Sequence, residues 1–517
     1  MKTMNVTQYL ELLKNEGLVL SYNLYQQGKA DISHMTYASG AVKEGTMFLC
    51  KGAGFKKEYL LDAVQRGAAA YVSETHYEME KEVPYILVRS MRKAMPVLAK
   101  AFYGRPDEEL WLTGVTGTKG KTTCVYYIRA ILDEYLRAKG KAPSGLLSTI
   151  ETFDGVDCRE SELTTPESLE LFRHLRNAAD SGMDHMTMEV SSQALKYHRV
   201  RKIKFDVGVF LNISEDHISP VEHQDFEDYF SAKLSLFKQT GTACVNLDSD
   251  HAKRVLAAAR MSERIITFGT KGNPDILGKN IRMKNGNISF DVVCREFKHS
   301  FTLAMHGMFN VENALAAIAA AYAMGIPAEY MEAGLAKTRV RGRMEEYASE
   351  DGKLRAIVDF AHNRLSFEKL FESVLMEYPG YRVVTIFGCP GGKAFNRRRD
   401  LGLIAGLFSR KVYLAADDPG MEDPEDISRE IGEYLEVVGC PYEYIEDRGQ
   451  AIQKAIREME EKTVLLVLGK GNEARQKYGK VSYKVPSDGE FVQIGIQEYD
   501  RKQRIRQICN RKVMATA

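Results

Sequence analysis

The stretch Trp111–Thr123, WLTGVTGTKGKTT, constrains this chain more than any other. A short β-type run, Leu110 to Val115, enters a loop that holds Gly114, Gly117 and Gly120. An amphipathic helical pattern leaves it, with Val125, Ile128, Leu132 and Leu136 at three- and four-residue spacing. Strand, glycine loop, Lys-Thr and helix form the layout of a phosphate cradle. Glycines let backbone N–H groups close on the anion, and the helix N-terminus adds its dipole. Gly117, Thr118, Lys119 and Gly120 would form the cradle; Lys121 would reach the terminal phosphates, and Thr122 or Thr123 would hold Mg²⁺. The commonest spacing has a glycine where Val115 stands, so what remains is the shorter Gly117-Thr-Lys-Gly-Lys-Thr. A glycine turn that binds no nucleotide is the plain alternative, and the flanking strand and helix argue against it.

At 517 residues the chain exceeds one core, so two to four domains are expected. The formal charge of +1 gives no reason to expect nucleic acid or a strongly acidic partner. No apolar run of membrane length and no signal-peptide pattern is present, which predicts no membrane insertion. Eight cysteines lie scattered without CxxC spacing, as expected for reduced thiols in a cytoplasm. Strand-like and helical runs alternate throughout, which places the chain in the α/β class. Thr46–Lys51 and Ala68–Ser73 read as strands around a helix at Tyr59–Arg66. Met186–Val190, Phe205–Asn212, Ala243–Leu247 and Arg264–Phe268 predict a mainly parallel sheet, with Asn285-Gly286 turning an appended hairpin. Ala356–Phe360, Val383–Phe387, Val412–Ala416 and Val464–Leu468 form a third set, and residues 500–517 read as a basic surface tail with weak helical character.

Two side chains stand out against their surroundings. Glu189 ends a predicted buried strand, where a carboxylate is costly unless it meets a cation. Mg²⁺ held with the phosphates would serve, and a capping or salt-bridged glutamate is the alternative. Lys233 falls on the apolar helical face of Phe226, Phe230, Leu234 and Phe237. Such a lysine normally snorkels to solvent. A desolvated one has a lowered pKa and can react with CO₂.

TGTKGKTT resembles the ATP loop of the Mur ligases, which build the peptide of bacterial cell-wall precursors by ATP-driven amide formation. YASGAVKEGTMFLCKGAGFKKEYL is similar to the uridine-nucleotide domain of the tripeptide synthetases in that family, and its wording is closest to their lysine-adding subgroup. The resemblance implies that Ser39 contacts uracil, and that Thr164, Thr165, Ser191 and Arg199 hold the muramoyl dipeptide. Asn212-Ile-Ser-Glu-Asp-His217 resembles the signature whose histidine binds a second Mg²⁺, and Lys233 matches the lysine that the family carbamylates into an anionic metal ligand. The implied metal set is therefore Thr122, Glu189, His217 and carbamylated Lys233, with Lys121 beside them in catalysis. Asn310 and Asn313 match an adenine-side motif, and Arg343 a phosphate contact. Asp359 would meet the ribose, while His362 would line the nucleotide cleft.

Asp417-Asp418-Pro-Gly420 stands in place of an Asp-Asn-Pro-Arg block whose arginine grips the distal carboxylate of meso-diaminopimelate. Gly420 cannot do so. Together with Glu473, Asp417 and Asp418 leave an acidic pocket suited to a side-chain ammonium. The family fold implies a UDP-MurNAc-binding domain over 1–106, a central P-loop parallel-sheet ATPase domain over 107–344 and a C-terminal Rossmann-like domain over 345–517. It also implies a cytoplasmic monomer in which the outer domains close over the central one. Its reaction would phosphorylate the D-Glu carboxylate of UDP-MurNAc-L-Ala-D-Glu with ATP and pass the acyl group to L-lysine. Meso-diaminopimelate or another diamino acid, a related ligase of folate or secondary metabolism, and a non-catalytic paralogue are the alternatives. Ala38, Gly40 and Asn472, which depart from the family wording, motivate the last.

Overall fold

A computed structural model describes residues 3–516 apart from 53, 217, 219–221, 285–286 and 460, with side chains to residue 508 except Lys284. Its three large sheets follow one another along the chain. In the first, Val19–Asn23, Tyr85–Val88, Ala68–Ser73, Thr46–Leu49 and His34–Thr36 lie side by side. All but Val19–Asn23 pair in parallel. Thr46–Leu49 is buried at every position because helices cover both faces, which is why it reads as a continuous apolar run rather than an alternation.

The central sheet has eleven strands. Gly145–Leu147, His185–Glu189, Trp111–Thr116, Phe205–Phe210, Thr240–Asn246, Arg264–Gly269 and Ile276–Lys284 run parallel in that order, and antiparallel strands extend both edges. The first strand in sequence, Trp111–Thr116, therefore sits between His185–Glu189 and Phe205–Phe210. At this switch point the loops after neighbouring strands part, and a crevice opens at their carboxyl ends. Thr116, Glu189 and Phe210 all end there. Ile276–Lys284 and Asn287–Val293 form the appended hairpin with Met283 opposite Ile288; its turn at Asn285-Gly286 lies outside the described residues. The third sheet orders Glu345–Ala348, Leu354–Asp359, Thr463–Leu468, Arg382–Phe387, Lys411–Leu414 and Tyr442–Tyr444, parallel except for its first pair.

Packing divides the molecule differently from the sheets. One apolar cluster runs from Leu13 and Leu98 on helices of the first unit to Leu175 and Met186 in the central one. The third unit is built on separate clusters around Phe367 and Val467. Fully buried side chains of this kind contribute about 2 kcal/mol each, far more than the surface pairs Lys202–Glu16 and Arg201–Glu16 beside them. The first two units thus share one apolar core, while the C-terminal unit is built on its own. The tail expected at the surface with weak helical character is largely exposed over residues 501–508 and more helical than its pattern suggests, since residues 500–516 continue the helix Asp488–Thr516. Val492, Ile496 and Tyr499 bury its first turns against the third sheet, and no glycine or proline after Gly495 interrupts its propagation. Among the described residues no helix is long and apolar enough to cross a membrane.

Candidate functional site

Thr116 leads into a loop fastened to the segment after Phe205–Phe210. The Lys119 amide donates to Asn212 Oδ1 (2.9 Å), Asn212 Nδ2 donates to the Lys119 carbonyl (3.1 Å), and the Thr118 amide donates to the Asn212 carbonyl (3.0 Å). Gly120 turns the chain at φ +83°, and the helix Lys121–Ala138 starts immediately after it. A Cβ at Gly120 would lie 2.1 Å from Asn313 Oδ1. The side chain of Asn313 donates in turn to Asn310 Oδ1 (2.9 Å), so the cradle and the adenine-side motif touch through this glycine. Gly120→Ala is therefore expected to push Asn313 away and weaken ATP binding by about tenfold or more. Titration of the purified variant with ATP measures it.

The cations of the loop crowd one another. Lys121 Nζ donates to the carbonyls of Gly117 (3.0 Å) and Thr118 (3.3 Å), and Lys233 Nζ donates to the same Gly117 oxygen (2.8 Å). Lys233 is 1% exposed. Burial, and then the charge of Lys121, push its ammonium well below the usual lysine range. Two full charges on one carbonyl oxygen repel in a low dielectric, which drives Lys233 towards its neutral amine. Lys119, partly exposed, is brought down to about 8, chiefly by desolvation, and pairs with Asp216 at 3.3 Å.

Thr122 Oγ1 donates to Glu189 Oε1 (2.9 Å), which also accepts from the Thr149 amide (2.7 Å). A hydroxyl and a carboxylate meeting at the mouth of a phosphate loop are hard oxygen donors, a set that fits Mg²⁺. His217 lies outside the described residues. Thr123 is buried behind the loop.

The C-terminal unit forms the facing wall. Arg343 lies over the Phe360 ring (4.5 Å) and donates to the Gly342 carbonyl (2.9 Å). Asp359 accepts from the Met344 amide and the Ala361 amide, both at 2.7 Å, so its carboxylate is spent in part on anchoring Arg343 and the loop after its own strand. His362 hands its Nδ1 proton to the Phe360 carbonyl (2.7 Å) and turns Nε2 towards Lys119 Nζ (3.4 Å). Burial and the Lys119 charge keep this ring neutral. Asn363 Nδ2 (2.9 Å) and Arg397 (3.2 Å) both donate to Asp216. Asn212 and Asp216 were legible only as members of a motif. Their function in joining the two walls depends on contacts 93 to 243 residues apart in sequence, such as Asn212 with Lys119 and Lys119 with His362.

Residues 115–321 match the Mur ligase middle domain, and residues 342–471 match the Mur ligase glutamate ligase domain. A protein of Streptococcus pyogenes serotype M4 named UDP-N-acetylmuramoyl-L-alanyl-D-glutamate--L-lysine ligase is 39% identical over 470 residues, 90% of this chain and 92% of its own. The chain belongs to the Mur ligase family. A UDP-N-acetylmuramyl-tripeptide synthetase of Lactobacillus delbrueckii subsp. bulgaricus is 36% identical over 512 residues, 95% of this chain and 98% of its own. The fold is shared with a solved UDP-N-acetylmuramoyl-L-alanyl-D-glutamate--2,6-diaminopimelate ligase at TM-score 0.66, 22% identity, 96% of this chain and 99% of that one. It is shared as well with a Mycobacterium tuberculosis folylpolyglutamate synthase complexed with ADP and AMPPCP, at TM-score 0.59, 16% identity, 72% and 92%.

In this Mur ligase the residues matched to the dipeptide gather where the first two units join. Thr165 donates to the Glu189 carbonyl (2.9 Å) and accepts from the Ser191 amide (3.0 Å), while Ser191 caps the helix that follows. Thr164 accepts from Thr149 (3.1 Å). Arg199 reaches the Thr165 carbonyl (3.1 Å) and Glu167 (2.9 Å), and Glu167 also pairs with Lys51 of the first unit (3.0 Å). Sequence reading singled out neither the Lys51–Glu167 pair nor the Tyr37–Glu170 bond (2.5 Å), because each joins residues more than a hundred positions apart. Ser39 hydrogen-bonds Asp62 at the far edge of that unit.

At the other end, Asp417, Asp418 and Glu473 do cluster, and the sequence reading overlooked the cation among them. Lys470, 3% exposed, pairs with Asp418 (2.9 Å) and Glu473 (3.2 Å). Among the described residues no lysine or arginine pairs directly with Asp417, whose carboxyl is raised to about 6, chiefly by burial. Gly420, at φ +62°, has nothing within 4 Å of a notional Cβ.

Proposed function

We propose that this Mur ligase uses ATP to join L-lysine to the D-Glu carboxylate of UDP-N-acetylmuramoyl-L-alanyl-D-glutamate through an acyl phosphate. The observation that carries the ligase chemistry is the convergence on one crevice of the loop of Lys121 and Thr122, the buried Glu189, and Arg343 from the opposing unit. The choice of lysine is supported by the 39% identity to the streptococcal lysine ligase and by the open space at Gly420.

The residues would act as follows. The amides of Gly117–Gly120 and the Lys121 ammonium take the phosphates of ATP, with Lys121 exchanging its present carbonyl partners for phosphate oxygens. Arg343 adds positive charge from the other wall as charge shifts on the transferring phosphoryl group. Asn310 and Asn313 receive adenine, Asp359 lies towards the ribose, and His362 with Lys119 lines the cleft. Mg²⁺, held by Thr122, Glu189, His217 and carbamylated Lys233, supplies charge neutralisation to the phosphates when bound. Ser39 would receive uracil, while Thr164, Thr165, Ser191 and Arg199 would orient the dipeptide so that its D-Glu carboxylate faces the γ-phosphate. The amine then attacks the acyl phosphate carbon and phosphate leaves. Asp417 would hold the side-chain ammonium of the incoming lysine. The Asp216–Asn363 and Asp216–Arg397 bonds would keep the C-terminal unit against the loop and water out of the crevice. Such a monomeric enzyme would work in the cytosol, where its nucleotide substrates are.

Phosphate release from ATP with UDP-MurNAc-L-Ala-D-Glu, compared for L-lysine, meso-diaminopimelate and L-ornithine, tests the reading. Release with lysine together with a product heavier by one lysine residue is expected. Release with diaminopimelate alone would keep the ligase and remove the argument from Gly420. No release with any amine would favour a non-catalytic paralogue.

A further inference from the structure

His306 follows the last strand of the central sheet, and its side chain points into the C-terminal unit. There Nε2 meets Glu346 Oε2 at 2.7 Å and Nδ1 meets Glu377 Oε2 at 3.1 Å. Glu346 lies on the strand Glu345–Ala348, and Glu377 ends the helix Arg364–Glu377. A neutral imidazole has one N–H and cannot donate to both carboxylates; an imidazolium can. The Glu377 side chain is 0% exposed and takes its other hydrogen bond from the Gly307 amide (2.9 Å). A carboxylate buried so completely calls for a cation, and His306 supplies it.

The other charged and titratable groups facing the ring are Tyr378, whose hydroxyl is 3.4 Å from Nδ1, and Arg355, which balances Glu346 at 2.9 Å. With the two carboxylates outweighing burial, the ring is raised to about 9 and is cationic at neutral pH.

The backbone of the same residue reaches the other way. The His306 carbonyl accepts from Asn310 Nδ2 (2.6 Å), Asn310 Oδ1 accepts from Asn313, and Asn313 packs against Gly120 of the phosphate loop. A continuous set of contacts therefore leads from two carboxylates of the C-terminal unit to the phosphate loop.

We propose that His306 is a positioning residue: held as an imidazolium between Glu346 and Glu377, it staples the C-terminal unit to the loop of Asn310 and Asn313 and so sets that loop for the nucleotide. The inference rests on reading this loop as the adenine side of the ATP site. Sequence gave no sign of it, because Glu346 and Glu377 stand 40 and 71 positions away.

The test compares the intact protein with His306→Gln and His306→Arg, measuring the Kd for ATP from about pH 6.5 to about 9.5, and KM for ATP against kcat. His306→Gln is expected to raise Kd and KM by about tenfold and to leave kcat at saturating ATP nearly unchanged. The wild type is expected to lose affinity as pH rises through about 9, where the imidazolium gives up its proton. His306→Arg, which can reach both carboxylates and stays charged, is expected to keep the affinity and lose that alkaline weakening. ATP binding by His306→Gln equal to the wild type at every pH would overturn the staple, as would His306→Arg binding as weakly as His306→Gln. Should His306→Gln fail to fold, persistence of the alkaline weakening in His306→Arg would overturn it instead. An intact protein that binds no ATP would remove the nucleotide reading itself, a result distinct from either variant outcome.

Discussion

Lys233→Met is expected to fold normally and to lose at least about a thousandfold in kcat. The two halves of that expectation have one cause. The wild-type amine is 1% exposed, shares the Gly117 carbonyl with Lys121 and sits over the Tyr229 ring at 4.7 Å. An apolar side chain of similar length fills the same space and spares the desolvation of a buried polar group, so the unfolding midpoint should stay the same or rise. A lysine that merely donated to Gly117 would be worth one hydrogen bond, about 1 kcal/mol, and its loss would slow turnover about tenfold at most.

The larger loss is expected because a neutral buried amine is nucleophilic. Its nitrogen can attack CO₂, releasing one proton to solvent and leaving a carbamate anion on Lys233 that faces the cations Lys119 and Lys121. Wild-type enzyme stripped of CO₂ should lose activity and regain it with bicarbonate. ¹³C-labelled bicarbonate should give a carbamate resonance that Lys233→Met lacks. Full turnover by Lys233→Met, or a wild type indifferent to CO₂, would sink this reading.

The parts of the site legible in the sequence are those built from neighbours in the chain. The phosphate loop, the strand ending at Glu189 and the helical face carrying Lys233 each follow from local periodicity, and all three meet at the switch point of the central sheet. The sheet strands also lie within a few residues of where the patterning puts them, because buried parallel strands are apolar at nearly every position. What escaped is long-range. That the first two units share one core could not be read from Leu13 and Leu175, since an apolar residue on a helix does not say which helix it packs against. Lys470 looked like part of a glycine-rich turn until the fold brought Asp418, 52 residues earlier, to within 2.9 Å. Asp359 illustrates the converse. It lies in the expected cleft, yet much of its hydrogen bonding goes to backbone amides that shape the loop, a role invisible without coordinates.

Selection of lysine should depend on Asp417 above its acidic neighbours. Asp418 and Glu473 are already balanced by Lys470, so truncating either disturbs an internal pair rather than a ligand contact. Asp417 has no such partner among the described residues. Asp417→Asn is therefore expected to raise KM for L-lysine by about ten- to a hundredfold, the worth of a charge-assisted hydrogen bond in a partly buried site. KM for ATP should hold steady.

A pH dependence follows with a definite sign. Burial raises the Asp417 carboxyl to about 6, so the wild-type carboxylate is present above that value and is lost as pH falls through it. The side-chain ammonium of lysine, with a pKa of about 10.4, remains charged throughout that range. kcat/KM for lysine should accordingly drop as pH falls below about 6, and the drop should vanish in Asp417→Asn. Gly420→Arg offers the reciprocal result. A side chain there has room but must adopt φ +62°, at a cost of about 1–2 kcal/mol. In return its guanidinium can face the distal carboxylate of meso-diaminopimelate, and use of that amine should appear while use of lysine declines. Unchanged lysine kinetics in Asp417→Asn, with a flat profile through pH 6, would mean that the ammonium is held elsewhere and that the identity of residue 420 does not govern the choice of amine.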